Sequence, residues 1–340
     1  MKPIRVLVVD DSKLARELII AILSTDRDIE VSGEAANGSE AVEMTNKLKP
    51  DVVTMDIEMP VMNGLEAIER IMADNAVPIL VVTTHNDSHT AFAAISKGAL
   101  DLVQKPDVNL TNAKEFTDKI KLLSKVSVIS HILGKRLKRE NKTHSSSFAS
   151  KDTGGVVAIA SSTGGPEALS IIMSSLPEKF PCPIVVAQHI SDGFVPGIAE
   201  WLRKLSKLNI KAASEGESLH PATVYISPSE RHMKINAAER ISFIERRESD
   251  MYRPSCDILL SSVAEVYGKN SIGVILSGMG KDGVEGMKKI KKAGGITIAQ
   301  DEQTSVVFGM NKAAIDGGCI DRILDIDEIS RNLVDIAAFK

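Results

Sequence analysis

The chain has 340 residues, of which 43% are hydrophobic, 25% charged and 4% aromatic, and its formal net charge is -4. This length is about twice that of a usual domain, so two compact cores with aliphatic interiors are expected. The small net charge gives no overall field to attract nucleic acid or an anionic membrane, so neither partner is expected.

The first residues argue against a secretory or membrane-inserted protein. Lys2 and Arg5 precede a short apolar run that ends in two aspartates, which is too short and too acidic for a signal peptide. No apolar stretch approaches the roughly 18 residues that a membrane-spanning helix needs. We therefore expect a cytoplasmic protein.

Residues 1–123 alternate short Val, Ile and Leu runs with longer amphipathic segments, which is the pattern of repeated βαβ units. The apolar runs are nearly continuous, and this predicts a parallel sheet covered on both faces. Strands are predicted at 5–9, 29–35, 52–55, 79–83 and 99–103, and the last helix at about 111–123.

Residues 124–153 have a different composition and are predicted to be a linker. A basic run leads into a serine-rich stretch, as is common in interdomain segments. The basic residues are Lys135, Arg136, Lys138, Arg139 and Lys142. They fit a solvated tether, and a docking surface for an acidic partner is the alternative.

Residues 154–340 show a second α/β pattern, which predicts a doubly wound, mostly parallel sheet. Strands are predicted at 156–160, 184–188 and 272–276, each followed by a glycine-containing turn and a helical stretch. Three further runs, 223–226, 233–236 and 241–244, are predicted to form a short antiparallel insertion.

Cys182, Cys256 and Cys319 are far apart and include no CxxC pair, so buried filler is expected rather than disulfides or a zinc site.

Polar side chains of the first domain fall where its predicted strands end. Asp10 and Asp11 follow the first strand, Asp56 the third, Thr83 ends the fourth, and Lys105 follows the fifth. Carboxyl ends of parallel strands meet at one edge of a sheet. Three carboxylates in one pocket call for a hard cation such as Mg²⁺, and a nearby ammonium and hydroxyl suit a phosphoryl group.

The segments VLVVDDS, MDIEMPVMNG, VVTT and GALDLVQKP resemble the motifs of response-regulator receiver domains, in the same order and over nearly all of residues 1–123. The resemblance implies a flavodoxin-like (βα)5 fold that is phosphorylated with the help of Mg²⁺. Asp56 would be the phosphate acceptor, and Thr83 and Lys105 would contact the phosphoryl oxygens. The implied metal ligands are Asp10, Asp11, Asp56 and the backbone carbonyl of Glu58.

In the second domain a serine-rich turn, SSTGGP, joins the strand at 156–160 to a helix. Such a junction exposes a hydroxyl beside the positive end of a helix, where α/β hydrolases place their nucleophile. Taken alone, the turn also fits a helix cap or a phosphate-binding loop. The nucleotide-binding interpretation is weakened because neither GxxxxGK[ST] nor GxGxxG is present there.

Two further groups of a hydrolase site follow strand ends. His189 is the one histidine that directly follows an apolar strand, whereas His232 beside a turn fits a structural role. Asp282 lies in the glycine-dense turn after the strand at 272–276 and can orient the imidazole of His189. A serine, a histidine and an aspartate on one edge of a sheet are the groups that acyl transfer uses.

The segments IASSTGGPEAL, VVAQHISDGF, VYISPSERHMKI, YRPSCDILLSS, ILSGMGKDGVEGM and AQDEQTSVVFGM resemble the motifs of the CheB methylesterase catalytic domain. The resemblance implies that Ser162 is the nucleophile, His189 the general base and Asp282 its partner. The backbone N–H of Met279 would belong to the oxyanion hole. Ser161 is the rival nucleophile, and Ser162 is favoured because it directly precedes Thr163-Gly164-Gly165.

The resemblance also implies a function in chemotaxis. The enzyme would hydrolyse glutamate 5-O-methyl esters on the cytoplasmic helices of chemoreceptors, releasing methanol, and some relatives also deamidate receptor glutamines. A chemotaxis histidine kinase would supply the phosphoryl group that activates it, ester hydrolysis would need no cofactor, and a monomer is expected. The alternatives are a response regulator with a DNA-binding output and a catalytically silent interaction module.

Overall fold

The structure is a computed structural model, and it describes residues 2–84, 88–106, 113–126, 128, 155–247 and 250–339. The chain divides into two compact units, Met1–Glu140 and Asn141–Lys340. The division falls inside the predicted linker, most of which lies outside the described residues. The domain boundaries 1–123, 124–153 and 154–340 therefore stay predictions.

The first unit contains a five-stranded sheet in the order β2-β1-β3-β4-β5, in which every pair of neighbours is parallel. This is the predicted receiver-type α/β architecture. The strands are β1 Ile4–Val9, β2 Ile29–Ala35, β3 Val52–Met55, β4 Ile79–Thr83 and β5 Asp101–Gln104. The helices are α1 Lys13–Leu23, α2 Gly38–Leu48, α3 Gly64–Asp74, α4 Ser88–Ser96 and α5 Ala113–Leu123.

One strand of this unit begins later than predicted. Strand β5 starts at Asp101 rather than at residue 99. The two preceding residues leave the helix instead, because the N–H of Ala99 donates to the carbonyl of Ala94 in α4. Gly98 makes this possible with a φ of 113°, a left-handed conformation that favours glycine.

The second unit is built on a seven-stranded parallel sheet in the order β14-β13-β12-β6-β7-β9-β8. A separate antiparallel hairpin joins β10 to β11. The strands are β6 Val156–Ser161, β7 Ile184–Gln188, β8 Asn209–Ala212, β9 Thr223–Ile226, β10 Arg231–Ile235, β11 Ile241–Glu245, β12 Ser271–Ile275, β13 Ile296–Gln300 and β14 Arg322–Leu324. The helices are α6 Gly165–Ser175, α7 Val195–Leu205, α8 Cys256–Tyr267, α9 Val284–Lys292, α10 Met310–Asp316 and α11 Ile326–Phe339.

The predicted antiparallel insertion is smaller than expected. Thr223–Ile226 was assigned to it, but this segment is strand β9, which pairs in parallel with both β7 and β8. All four of its residues are buried, as expected for a strand inside a parallel sheet with both faces covered. Among the described residues only β10 and β11 form the insertion, and the prediction for 223–226 was wrong.

The centre of the large sheet positions the candidate site. Strands β12, β6 and β7 are adjacent and fully buried, so the loops that follow them leave the sheet side by side. Ser161 pairs with Gln188 at the last paired position of β6 and β7, which makes Ser162 and His189 the first residues beyond it.

Within the described residues no helix is both long and apolar enough to span a membrane.

Candidate functional site

The first unit gathers its acidic residues into one pocket at the carboxyl end of the sheet. Asp10 and Asp56 are buried and Asp11 is exposed, and each contributes an oxygen to a group whose atoms all lie within 4.8 Å of one another. Lys105 forms ion pairs with two of these carboxylates, since its Nζ lies 2.8 Å from Asp10 Oδ2 and 2.9 Å from Asp56 Oδ2. The structure thus brings these four predicted residues together.

Burial controls the charge of this pocket. It raises the pKa of Asp56 to about 6; the neighbouring charge of Asp10 also raises it, while the hydrogen bond and charge of Lys105 lower it. Burial also opposes the charged form of Lys105, but the close carboxylates of Asp10 and Asp56 outweigh that effect and raise the pKa of the ammonium. At neutral pH the pocket holds a carboxylate at Asp56 beside a cation.

The donor set fits a hard divalent cation and a phosphoryl group. Asp10, Asp11 and Asp56 supply the oxygens that Mg²⁺ prefers. Thr83 Oγ1 is buried and has no hydrogen-bond partner in the described part of the chain, which leaves it available to a phosphoryl oxygen. Glu58 follows Asp56 in the same loop with an exposed side chain, and its role as a backbone metal ligand stays a prediction.

In the second unit, the two candidate nucleophiles have different surroundings. Ser161 Oγ is fully buried and donates to Gln188 Oε1 at 2.6 Å. Ser162 is only half-buried, and its Oγ makes no hydrogen bond with any residue that the structure describes. Its backbone is fixed, because its N–H donates to Ser277 O at 3.0 Å and Gln188 Nε2 donates to its carbonyl at 2.9 Å. Ser162 is the serine with an available hydroxyl.

His189 and Asp282 form a direct pair, with His189 Nε2 2.8 Å from Asp282 Oδ2. The backbone of His189 is tied to the serine turn, since its N–H donates to Ser161 O at 2.9 Å and its carbonyl accepts from Gln188 Nε2. Because Nε2 is engaged by the carboxylate, Nδ1 is the ring nitrogen left for a nucleophile. The structure therefore joins the histidine and the aspartate directly, and it links His189 to Ser162 through the side-chain amide of Gln188, which donates to the carbonyls of both.

Asp282 is also held by the beginning of helix α8. It accepts the N–H groups of Cys256 at 2.6 Å and Asp257 at 2.9 Å, and the hydroxyl of Ser255 at 3.2 Å. Burial alone would raise the pKa of Asp282, but the hydrogen bond and charge of His189 and these backbone donors outweigh it and lower the pKa. The carboxylate stays ionised although it is almost fully buried.

Sequence reasoning missed these donors. The signal was present in YRPSCD, where Ser255 precedes the apolar pattern of a helix and is its N-cap, accepting from the N–H of Ile258. The N–H groups of a first helical turn have no partner within the helix, and a carboxylate satisfies them well. Asp282 was assigned only to the imidazole, whereas it also caps α8.

Two further neighbours of His189 were not predicted. The ring of Tyr252 stacks on the imidazole, with centroids 5.1 Å apart and planes 14° apart. Cys256 Sγ lies 3.4 Å from His189 Nε2, so this cysteine is buried as expected but also touches the candidate base. Burial raises the pKa of the Cys256 thiol well above its usual range, which argues against a thiolate nucleophile.

The turn after β12 brings backbone close to Ser162. A Cβ on Gly278 would lie 2.7 Å from Ser162 Cβ and 2.4 Å from Met310 Sδ, so only glycine fits here. The N–H of the next residue, Met279, donates no hydrogen bond to a described residue, and its side chain is 52% exposed. An N–H without a partner among the described residues, one position after the glycine that packs against Ser162, would suit an oxyanion hole.

Two family models match this chain, one in each of its two units. Residues 157–333 match the family model described as CheB methylesterase. Residues 6–115 match the model described as response regulator receiver domain.

Several proteins resemble the whole chain. A relative from Paramagnetospirillum magneticum called protein-glutamate methylesterase/protein-glutamine glutaminase 3 is 47% identical over 98% of this chain and 96% of its own length. A relative from Thermotoga maritima with the same name, unnumbered, is 39% identical over 98% of both chains. The crystal structure of the Thermotoga maritima CheB methylesterase catalytic domain superposes with a TM-score of 0.52 at 41% identity, covering 54% of this chain and 98% of that chain.

Proposed function

This chain belongs to the CheB methylesterase family, and we propose that it hydrolyses glutamate 5-O-methyl esters on chemoreceptors under the control of its receiver domain. The observation that carries the proposal is the 2.8 Å contact between His189 Nε2 and Asp282 Oδ2, at the sheet edge where Ser162 follows the adjacent strand β6. A catalytically silent module has no need for a histidine–aspartate pair at the same sheet edge as a serine whose hydroxyl has no partner among the described residues.

The geometry supports a two-step acyl transfer. Asp282 accepts the Nε2–H of His189, so Nδ1 is the basic nitrogen. Nδ1 takes the proton of Ser162 as its oxygen attacks the ester carbonyl, and the N–H of Met279 stabilises the oxyanion. The proton then passes to the departing methoxide, which leaves as methanol.

Water completes the cycle. His189 removes a proton from a water molecule that attacks the glutamyl ester on Ser162, and the proton returns to the serine as the bond breaks. The products are a receptor glutamate and the regenerated enzyme. The same steps with ammonia as the leaving group would deamidate a glutamine, an activity contained in the names of the relatives.

The receiver unit supports regulation by phosphorylation. Asp56 is the acceptor in this proposal, Thr83 and Lys105 contact the phosphoryl oxygens, and a histidine kinase supplies the phosphoryl group. Mg²⁺ held by Asp10, Asp11, Asp56 and the carbonyl of Glu58 would neutralise charge during the transfer. Phosphorylation would then increase the population of the active state of the catalytic unit.

The direct test is release of methanol from receptor-containing membranes that carry labelled glutamate methyl esters. We expect the purified chain to release methanol, and acetyl phosphate with Mg²⁺ to raise the rate. A parallel assay with unmodified receptor glutamines measures ammonia and decides the deamidase activity separately. A folded protein that releases no methanol with or without acetyl phosphate would contradict the proposed function.

A further inference from the structure

A second buried histidine lies close to the catalytic pair without touching it. His232 is in strand β10 of the hairpin and is 2% exposed. Its Nε2 lies 2.9 Å from Asp250 Oδ2, and its Nδ1 accepts the backbone N–H of Ser255 at 2.9 Å. Both ring nitrogens are engaged, so this side chain is fixed in position and orientation.

The partners of His232 determine where its proton lies. A backbone N–H can only donate, so Nδ1 must be unprotonated and the proton must be on Nε2, where Asp250 accepts it. Asp250 is held in turn by the N–H of Arg247 at 2.8 Å. His232 is therefore neutral and serves as an acceptor for one backbone group, that of Ser255.

That backbone group is the point at which helix α8 begins. Ser255 is the N-cap of α8, and its hydroxyl donates to Asp282 Oδ1 at 3.2 Å. The next two N–H groups of the helix, those of Cys256 and Asp257, donate to the two oxygens of Asp282. Fixing Ser255 thus fixes three of the donors that orient the catalytic carboxylate.

We infer that His232 is a positioning residue, which holds the start of helix α8 through Ser255 so that Asp282 stays aligned with His189. The inference rests on the proposed esterase function. Among the described residues no hydrogen bond joins His232 to the imidazole of His189 or to the serine turn, so its effect passes through the helix start. It assigns a role in turnover to a residue that the sequence placed among structural histidines.

Amide variants that each reproduce one ring nitrogen separate the two hydrogen bonds of His232. Asparagine places its amide oxygen near the position of Nδ1 and can accept from Ser255, whereas glutamine places its amide nitrogen near Nε2 and can only serve Asp250. We expect His232→Ala and His232→Gln to lower kcat for methanol release by about 10- to 100-fold, with KM nearly unchanged, because a small misplacement of a catalytic group is costly. His232→Asn should recover most of kcat.

Control variants make the result interpretable. His220→Ala changes an exposed histidine of the same unit and should behave as wild type. Asp250→Ala removes the acceptor of the Nε2 proton, at a side chain that is 29% exposed. The ring can then carry its proton on Nδ1, which no longer accepts the N–H of Ser255. We expect kcat to fall by about 3- to 10-fold, which corresponds to the loss of one hydrogen bond. Circular dichroism and thermal melting establish which variants are folded.

The outcomes are distinct. Full kcat in folded His232→Ala, a change confined to KM, or recovery by Gln but not by Asn would overturn the positioning role. If no His232 variant folds, an unchanged kcat in Asp250→Ala overturns it, and a reduced one supports it. A wild-type protein without methanol release overturns the proposed function itself, whereas an active wild type with an inactive Ser162→Ala leaves that function standing whatever His232 does.

Discussion

The carboxylate of Asp282 accepts the backbone N–H of Cys256 at 2.6 Å, the shortest of the hydrogen bonds that the structure describes around it. The carboxylate is thus held from two sides, by the imidazole of His189 and by the first turn of α8. Such a preorganised environment keeps a buried charge in place without solvent, which is the electrostatic condition for acyl transfer.

Asp282→Asn should lower kcat by about 10⁴, because an amide cannot hold the imidazole in the tautomer that leaves Nδ1 basic. It should also lower the free energy of unfolding at pH 7 by about 1–3 kcal/mol, since buried N–H donors then lose an anionic acceptor. Methanol release and chemical denaturation measure the two effects. Normal turnover in a folded variant would refute the role of Asp282.

The stability effect should depend on pH in a defined direction. The pKa of Asp282 is lowered in the folded protein, so its stabilising contribution is fully present above the unfolded value of about 4 and is lost as the pH falls through the lower folded pKa. The difference in unfolding free energy between wild type and Asp282→Asn should therefore be constant from pH 7 to 5 and shrink below about pH 4. A difference that grows in acid would show that the carboxylate is not the stabilising form.

Gly278→Ala should abolish most activity while the protein still folds. The added methyl group would meet Ser162 Cβ at 2.7 Å and Met310 Sδ at 2.4 Å, so the nucleophile or its turn must move. We expect a fall in kcat of about 100-fold, as for a displacement of about 1 Å at the reacting group. Gly216→Ala, where nothing lies within 4 Å, is the matched control and should keep full activity despite its left-handed φ.

Asp56→Asn should remove the response to acetyl phosphate. The variant keeps the size of the side chain but has no carboxylate to accept a phosphoryl group, so its basal methanol release should persist without stimulation. Asp74→Asn, at an exposed aspartate that ends helix α3, is the control and should respond as wild type. Stimulation of Asp56→Asn equal to that of wild type would exclude Asp56 as the regulatory site.

The sheet and much of the site could be predicted from local sequence. Strands β3, β4 and β7 have the predicted bounds because continuous buried runs are typical of parallel sheets. In each unit the residues that follow these strands, such as Asp56 in the first and His189 in the second, lie at the carboxyl edge of their own sheet because parallel strands share their direction. The predicted fold class and family are confirmed by the two family models and by the similar solved structure.

Other features depend on contacts between distant segments. Strand β9 was placed in the wrong sheet because its pairing with β7 and β8 is not encoded in its four residues. The stacking of Tyr252 on His189 and the capping of α8 by Asp282 join residues 63 and 26 positions apart, which periodicity cannot reveal. His232 had a structural assignment for the same reason, since its link to Ser255 exists only in the folded chain.

In the proposed mechanism Ser162, and not Ser161, attacks the ester. The most direct measurement is methanol release from methylated receptor membranes by wild type, Ser162→Ala and Ser161→Ala under the same conditions. We predict that Ser162→Ala loses about 10⁴ to 10⁶ in turnover, the usual cost of removing a triad nucleophile, while Ser161→Ala, whose hydroxyl only supports Gln188, loses less than about tenfold. Near-normal methanol release by folded Ser162→Ala, or its abolition in Ser161→Ala alone, would contradict this account.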